Sequence, residues 1–408
     1  MRPNRSLTAL LAAEVISSLG SLMSAVALPW FVLVTTASPT RMGVVLAAES
    51  APLLLLTVPS ARFVARVGAR GALMACDLAW AAAIAAIPIL HAAGVLSFGL
   101  LVALAFLSGV PWGAHAGSQS AIIPELLGED ERRVAEANAL LQTLSRLAYF
   151  LGPALGGVLV AAVAAPAVLT IDAASFVVSF LLVATLVPGR HGSPTVDAPP
   201  GAPGGFNFVR RDAWMRPLTT AQALSQAAFM GMNAAIPVLA FAAYDRNARL
   251  AGTLLAAWGG GAMIGSVAAL RLVRRHDPFK LGAGAWVGQA LPLWGIVASR
   301  SPGIAACALA TSGIANGLRV PPIAGITMRR VPQRIRAETL TAASSLVLGA
   351  GFLALLAAGP ALDHLGFLPV WIVIAAIQTT AALIFVRLAW LTTRAVPATP
   401  AGSHATGV

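Results

Sequence analysis

Gly152-Pro153-Ala154-Leu155-Gly156-Gly157 lies inside an apolar run that begins near Ala139 and ends near Val163. Four of these six residues are Gly or Pro. In a soluble helix such a cluster would be a break. In a run long enough to cross a bilayer the backbone finds no water, so the segment stays helical or packs against protein. Glycine also lets a neighbouring helix approach closely. The stretch therefore predicts a transmembrane helix with a bend and a close-packed face.

The rest of the chain agrees with that reading. Of its 408 residues 58% are hydrophobic and only 10% charged, with a mean hydropathy of +0.82. Soluble domains carry about 25% charged residues, so this is a polytopic membrane protein, all α-helical. The net charge of +12 does not point to nucleic acid, because the basic residues sit in short loops between apolar runs, where they set topology. Cys76 and Cys307 both lie in apolar runs and read as small core residues, with no disulfide framework. Arg2 and Arg5 precede an apolar run that continues to Thr36, which is a first span rather than a cleavable signal.

At about 20 residues per crossing, twelve apolar segments can be placed: roughly 8–36, 42–61, 71–90, 96–119, 139–162, 166–187, 217–242, 250–270, 279–299, 303–327, 338–361 and 367–391. The longest polar interval, 188–216, contains Pro199-Pro200-Gly201 and Gly204-Gly205 and reads as a flexible cytoplasmic linker. It divides the chain into a six-helix bundle over 1–187 and a second over 217–394, followed by a tail, 395–408. With the N-terminus inside, 20 Lys and Arg fall on the cytoplasmic side and four (Arg41, Arg246, Arg249 and Arg300) on the other. That asymmetry predicts both termini in the cytoplasm.

The two halves echo each other. Ala27-Leu28-Pro29 matches Ala235-Ile236-Pro237, 208 residues later; Arg66 falls on Arg274 at the same offset; Gly152-Pro153-Ala154-Leu155 recurs as Gly359-Pro360-Ala361-Leu362 at offset 207. Three matches in order argue for a parallel repeat of six spans, which puts a substrate path between the halves near the midplane. The last echo breaks at Asp363 and His364, where the first copy has Gly156 and Gly157. The close-packed face is therefore expected to be complete in one half only.

These features, over the whole chain, resemble the major facilitator superfamily, and within it the drug- and siderophore-exporter branch that includes macrolide-efflux and enterobactin-exporter proteins. Gly152, Pro153, Gly156 and Gly157 resemble the end of that branch's antiporter motif on the fifth helix; two earlier glycines of the motif are Ala139 and Ala148 here. Ile123-Pro124-Glu125-Leu126 with Ala137-Asn138-Ala139-Leu140 resembles its loop between helices four and five. Asp172-Ala173-Ala174-Ser175-Phe176 resembles the start of its sixth helix, and Phe208-Val209-Arg210-Arg211-Asp212 its linker. Ala61 to Arg70 resembles the gating loop between spans two and three, matching at Arg66, Gly68 and Arg70. Ala65 stands where that motif has an acid and Ala61 where it has its first glycine. The resemblance implies that this loop clamps the cytoplasmic gate, with Asp77 the candidate to replace the missing carboxylate.

An ionisable residue within a span is expensive and marks function by default. Glu14, Asp77, Arg146 and Arg319 fall at similar depth on the inner half and balance as two acids with two bases. Glu14 is the candidate for proton coupling, against the blander reading of a structural pair with Arg146. Glu49 sits alone nearer the outer end, with headgroups or Arg41 as possible partners, and Asp172 reads as a packing or gate residue. Polar stripes outline a substrate cavity: Gln222, Gln226 and Asn233 with Phe229 and Met230 in span 7, Trp112, His115 and Gln119 in span 4, Asn316 and Arg319 in span 10, and Ser17, Ser21 and Ser24 in span 1. The resemblance implies that spans 1, 4, 7 and 10 line the cavity. His115 is expected to be a packing histidine, and interhelical hydrogen bonds compete with the cavity reading for each polar residue.

No Gly-x-x-x-x-Gly-Lys-Ser/Thr loop is present, so ATP does not drive this protein directly. No nucleophile triad or metal-ligand cluster stands out, and no cofactor or enzymatic activity is expected. The expectation is a multi-pass protein of the inner cell membrane, a monomer, exporting a small apolar or amphipathic molecule (drug or siderophore-like) by proton antiport. The alternatives are a proton-coupled importer or uniporter of a small metabolite on the same fold, and a non-transporting receptor or scaffold.

Overall fold

The computed structural model describes residues 5–128, 130–188, 203–299 and 301–394. Arg2, Arg190, Arg300, Pro199-Pro200-Gly201 and the tail expected over 395–408 lie outside the described residues. All regular elements among them are helical: α1 (Arg5–Thr36), α2 (Pro39–Leu55), α3 (Thr57–Ala92), α4 (Phe98–Gly109), α5 (Pro111–Leu127), α6 (Glu131–Val163), α7 (Ala165–Leu186), α8 (Pro203–Arg211), α9 (Met215–Ala243), α10 (Ala248–Leu272), α11 (Pro278–Ala290), α12 (Leu293–Ala298), α13 (Pro302–Arg330), a 3₁₀ turn (Gln333–Ile335), α14 (Arg336–Leu365) and α15 (Phe367–Arg394).

Eleven helical stretches among the described residues are long and apolar enough to cross a membrane. The remaining expected segment, 42–61, is divided: α2 has 17 residues and stops where Leu56 leaves helical geometry (φ −109°, ψ 16°). Helix then resumes and crosses the expected gating loop. The break between the second and third spans is the single residue Gly68, at φ 76° and ψ 162° inside α3, a conformation that L side chains rarely adopt. The gating segment is therefore helix with a one-residue hinge. The loop expected between spans four and five is likewise shorter than the resemblance implies: Ile123–Leu126 belong to α5 and Ala137–Leu140 to α6. The latter part of the expected flexible linker is also helical, as α8, and Gly205 packs against the backbone of Glu338 on α14.

Two further spans among the described residues are broken. Proline lacks the N–H that continues a helix, and the breaks fall before Pro111 (α4/α5) and at Pro292 (α11/α12). A neighbouring indole ties down the backbone at each: Trp80 Nε1 donates to the Ser108 carbonyl (2.7 Å) and Trp371 Nε1 to the Leu293 carbonyl (3.0 Å). Irregular backbone at membrane depth is tolerated only with such partners.

Helices α1–α7 pack among themselves, as do α9–α15, and the two groups meet mainly along two seams, α6 on α10 and α2 on α14. α6 runs unbroken through Pro153, and its close-packed face is real: a methyl built on Gly156 would lie 2.8 Å from the Met23 carbonyl oxygen, and one on Gly157 2.8 Å from Gly252 Cα. The second copy of the motif makes a seam at Gly359, while Asp363 and His364, in the places of Gly156 and Gly157, are exposed, so the close-packed face is complete in one half only. A methyl on Gly43 would lie 2.9 Å from Gly359 Cα. Asp363, at the point where the echo breaks, accepts from Ser38 Oγ (3.0 Å) and from the Thr40 backbone N–H (2.9 Å) at the start of α2. With the edge-on Trp30–Phe241 pair (5.8 Å), these contacts run from mid-depth to the end of the molecule away from the N-terminus of α1.

Candidate functional site

A cavity of about 630 Å³ lies within the second helix group. It is lined from α9, α10, α11, α13 and α14 and reaches from Met215, Met328 and Leu340, near the helix ends, to Phe229 and Trp258. From Met215 to Phe229 is 14 helical residues, about 20 Å. Of the sequence-predicted residues, Gln222, Gln226, Asn316 and Arg319 line it together. Asn233 does not: its Nδ2 donates to the Phe229 carbonyl of its own helix (2.8 Å). Met230 lies beside Gly351 of α14 rather than on the wall. Ser17 and Ser21 back-bond to carbonyls of α1. Spans 7 and 10 thus agree with the expected lining, but spans 8, 9 and 11 share the wall and spans 1 and 4 do not.

Gln289 and Trp258 also line the cavity and were not singled out from sequence. Gln289 was findable as the only amide in its apolar segment; Trp258 gave no signal beyond an indole in an apolar run. Arg319 reaches over the buried Trp286 ring, its guanidinium carbon 4.2 Å from the ring centre. Its Nε is buried and has no hydrogen-bond partner among the described residues. Trp286 stacks in turn on Phe385 (5.6 Å).

The first helix group holds a second polar site, a tight pocket with about 10 Å³ of free space, room for about one water. Glu14, Asp77, His115 and Gln119 line it. His115 Nε2 is 3.5 Å from Glu14 Oε2, with both side chains about 15% exposed. Ser18 Oγ donates to Glu14 Oε1 (3.1 Å), and Ser179 Oγ donates to Asp77 Oδ2 (2.8 Å). The Trp80 ring stands edge-on to the His115 ring at 5.1 Å.

This geometry corrects several expectations. The carboxylate of Glu14 faces His115 rather than Arg146, and no ion pair to Arg146 occurs among the described residues. His115 thus has Glu14 as its polar neighbour. Arg319 belongs to the other cavity, so the four inner charges do not form one balanced layer. Asp77 is 2% exposed and bonded to Ser179, so it does not stand in for the missing acid of the gating motif. In that motif Arg70 Nη2 instead donates to the Ala184 carbonyl of α7 (2.7 Å), and Arg66 is exposed. Arg41 lies over the Phe98 ring (5.3 Å) rather than against Glu49, which is half-buried on α2. Asp172 is fully buried and bonded to Ser175. Trp112 is 43% exposed, edge-on to Trp80, and outside both pockets. Cys76 is buried as expected, while Cys307 is exposed on α13.

Residues 10–353 match the sequence profile described as Major Facilitator Superfamily. The multidrug efflux pump Tap of Mycobacterium tuberculosis (strain ATCC 25618 / H37Rv) is 28% identical over 398 residues, covering 93% of this chain and 92% of that protein. Tap of Mycolicibacterium fortuitum is 26% identical, covering 88% and 89%. Among solved structures, a point mutant of the nucleoside transporter NupG superposes with a TM-score of 0.76 at 12% identity, over 93% of this chain and 99% of that one. A bacterial homologue of the iron transporter ferroportin in its inward-facing state gives 0.75 at 15% identity, over 95% and 100%. At such identities the structures speak to the fold alone.

Proposed function

Because the chain belongs to the Major Facilitator Superfamily, we propose that it exports a small apolar or amphipathic compound, of drug or siderophore type, in exchange for protons by alternating access. The observation that carries this reading is the division of polar chemistry. One helix group offers a wide cavity open at one end, and the other an enclosed carboxylate–imidazole pair. The relatives named as multidrug efflux pumps support export.

In this reading Glu14 and His115 hold the exchanged proton, with Asp77 beside them. Gln222, Gln226, Asn316 and Arg319 meet the cargo. The two six-helix units are 1–187 and 217–394, joined by 188–216, and work as a monomer in the inner membrane. The charge asymmetry supports cytoplasmic termini, and in that orientation the cavity opens to the cytoplasm, where an exporter loads. Gly68 is the hinge of the gating segment, and Arg70 holds α3 to α7 there.

The test is dye or antibiotic accumulation in inverted vesicles under an acid-inside gradient, beside a toxicity and siderophore panel in an efflux-deficient host. Wild type is expected to accumulate the compound and Glu14→Gln to lose the gradient-driven part. Full gradient-driven efflux by Glu14→Gln removes the coupling role, and accumulation only in right-side-out cells replaces export by import.

A further inference from the structure

We propose that the large cavity is built for a cargo that carries an anionic group, with Arg319 as its counter-ion. The proposal deepens the export reading and rests on it for the word cargo. A guanidinium stays protonated in a protein, and a charge placed inside a membrane span is ordinarily paired or functional. Arg319 lies over the face of Trp286, and among the described residues its buried Nε has no acceptor.

The other polar groups on the cavity wall are amides and hydroxyls, such as Gln222, Gln226, Gln289, Asn316 and Thr327, and no Asp or Glu among the described residues lines it. The cavity thus holds a fixed positive charge that the wall does not neutralise. A carboxylate, sulfonate or phosphate fits the planar fork of a guanidinium with two parallel hydrogen bonds. Stacking on Trp286 fixes the plane of that fork, and the neighbouring amides can donate to oxygens that Arg319 leaves free.

The rest of the wall, including Leu218, Phe229, Trp258 and Ile323, is apolar or aromatic. About 630 Å³ is the size of a drug-sized ligand site. The cargo class that satisfies both parts is an amphipathic organic anion with an aromatic or apolar body. A cationic amphipath of the same size would meet Arg319 with like charge and find no carboxylate to receive it.

Two fluorescent probes that differ by one sulfonate provide the test: 8-anilinonaphthalene-1-sulfonate and the neutral N-phenyl-1-naphthylamine. Both are titrated against the purified full chain in non-ionic micelles, with protein-free micelles as baseline and the cationic dye ethidium as a third probe. Wild type is expected to bind the sulfonate about tenfold to a hundredfold more tightly than the neutral probe, the range of a charge-assisted hydrogen bond. Arg319→Gln is expected to abolish that preference and leave the neutral probe unchanged, with Arg319→Lys between.

Should Arg319→Gln fail to fold, competition on wild type decides: naphthalene-1-sulfonate displaces the anionic probe and equimolar naphthalene does not. Equal affinity for the two probes, a preference for ethidium, or sulfonate binding indifferent to Arg319 overturns the proposal. Binding involves no gradient, so the two readings fail separately. Arg319-dependent anion binding without accumulation in inverted vesicles removes export and leaves the anion site. Accumulation of ethidium without anion preference does the reverse.

Discussion

The pocket around Glu14 contains two carboxylates and an imidazole in about 10 Å³ of free space; the cavity around Arg319 contains a guanidinium, several amides and about 630 Å³. One has acid and almost no room, the other room and no acid. A group that exchanges protons gains from close neighbours that balance its charge, whereas a cargo site needs space and a few fixed polar contacts. Under the proposed antiport the two are separated, so proton and cargo do not compete for one carboxylate and their exchange passes through moving helices. A contiguous route exists. α1 carries Glu14 and packs by Leu22 and Met23 on Gly152 and Gly156 of α6; Gly157 of α6 meets Gly252 of α10; and α10 carries Trp258 to the cavity wall.

The severest way to break that separation is to wedge the route. Gly157→Leu is expected to abolish gradient-driven export in vesicles, because its Cβ alone would fall 2.8 Å from Gly252 Cα. Export within twofold of wild type would mean that the seam does not couple the sites. Next in size, Glu14→Gln is expected to remove gradient-driven accumulation while probe affinity at the cavity changes less than twofold. A parallel loss of affinity, read by fluorescence titration, would merge the two regions into one site.

Asp363→Ala tests the seam at the start of α2. Removing the acceptor of Ser38 Oγ and the Thr40 N–H costs about 1 kcal/mol, so a thiol at Thr36→Cys, labelled from the side of α2's start, is expected to react about fivefold faster. Smallest is Asn233→Leu. Its amide bonds its own helix, so its loss removes no contact between helices. A thermal-shift assay and transport are both expected to stay near wild type, and a large loss would restore Asn233 to the cavity.

The spans were legible because an apolar run of about 20 residues has few other uses. The segment 42–61 was legible as apolar but not as two helices meeting at Leu56. Gly68 was quoted for its motif, yet only its positive φ reveals that the motif is helix with a single-residue break. Residues sharing one helix face, such as Gln222 and Gln226, were found by spacing. Pairs between helices were not. Glu14 and His115 are about a hundred residues apart, and equal depth in the membrane does not tell which side chains face each other across a bundle. The same blindness grouped Arg319 with Glu14, although each belongs to a different helix group.

The bond between Asp363 and the Thr40 N–H carries one more consequence. The first N–H groups of a helix have no partner within it, and at the start of α2 one of them is completed by a residue of α14, in the other helix group. Bringing the two groups together therefore finishes a piece of secondary structure that neither completes alone. Parting them leaves a helix end exposed, to be met by water or by a lipid headgroup. In the proposed alternating-access cycle, the surroundings of that one turn weigh directly on how often this end of the molecule opens.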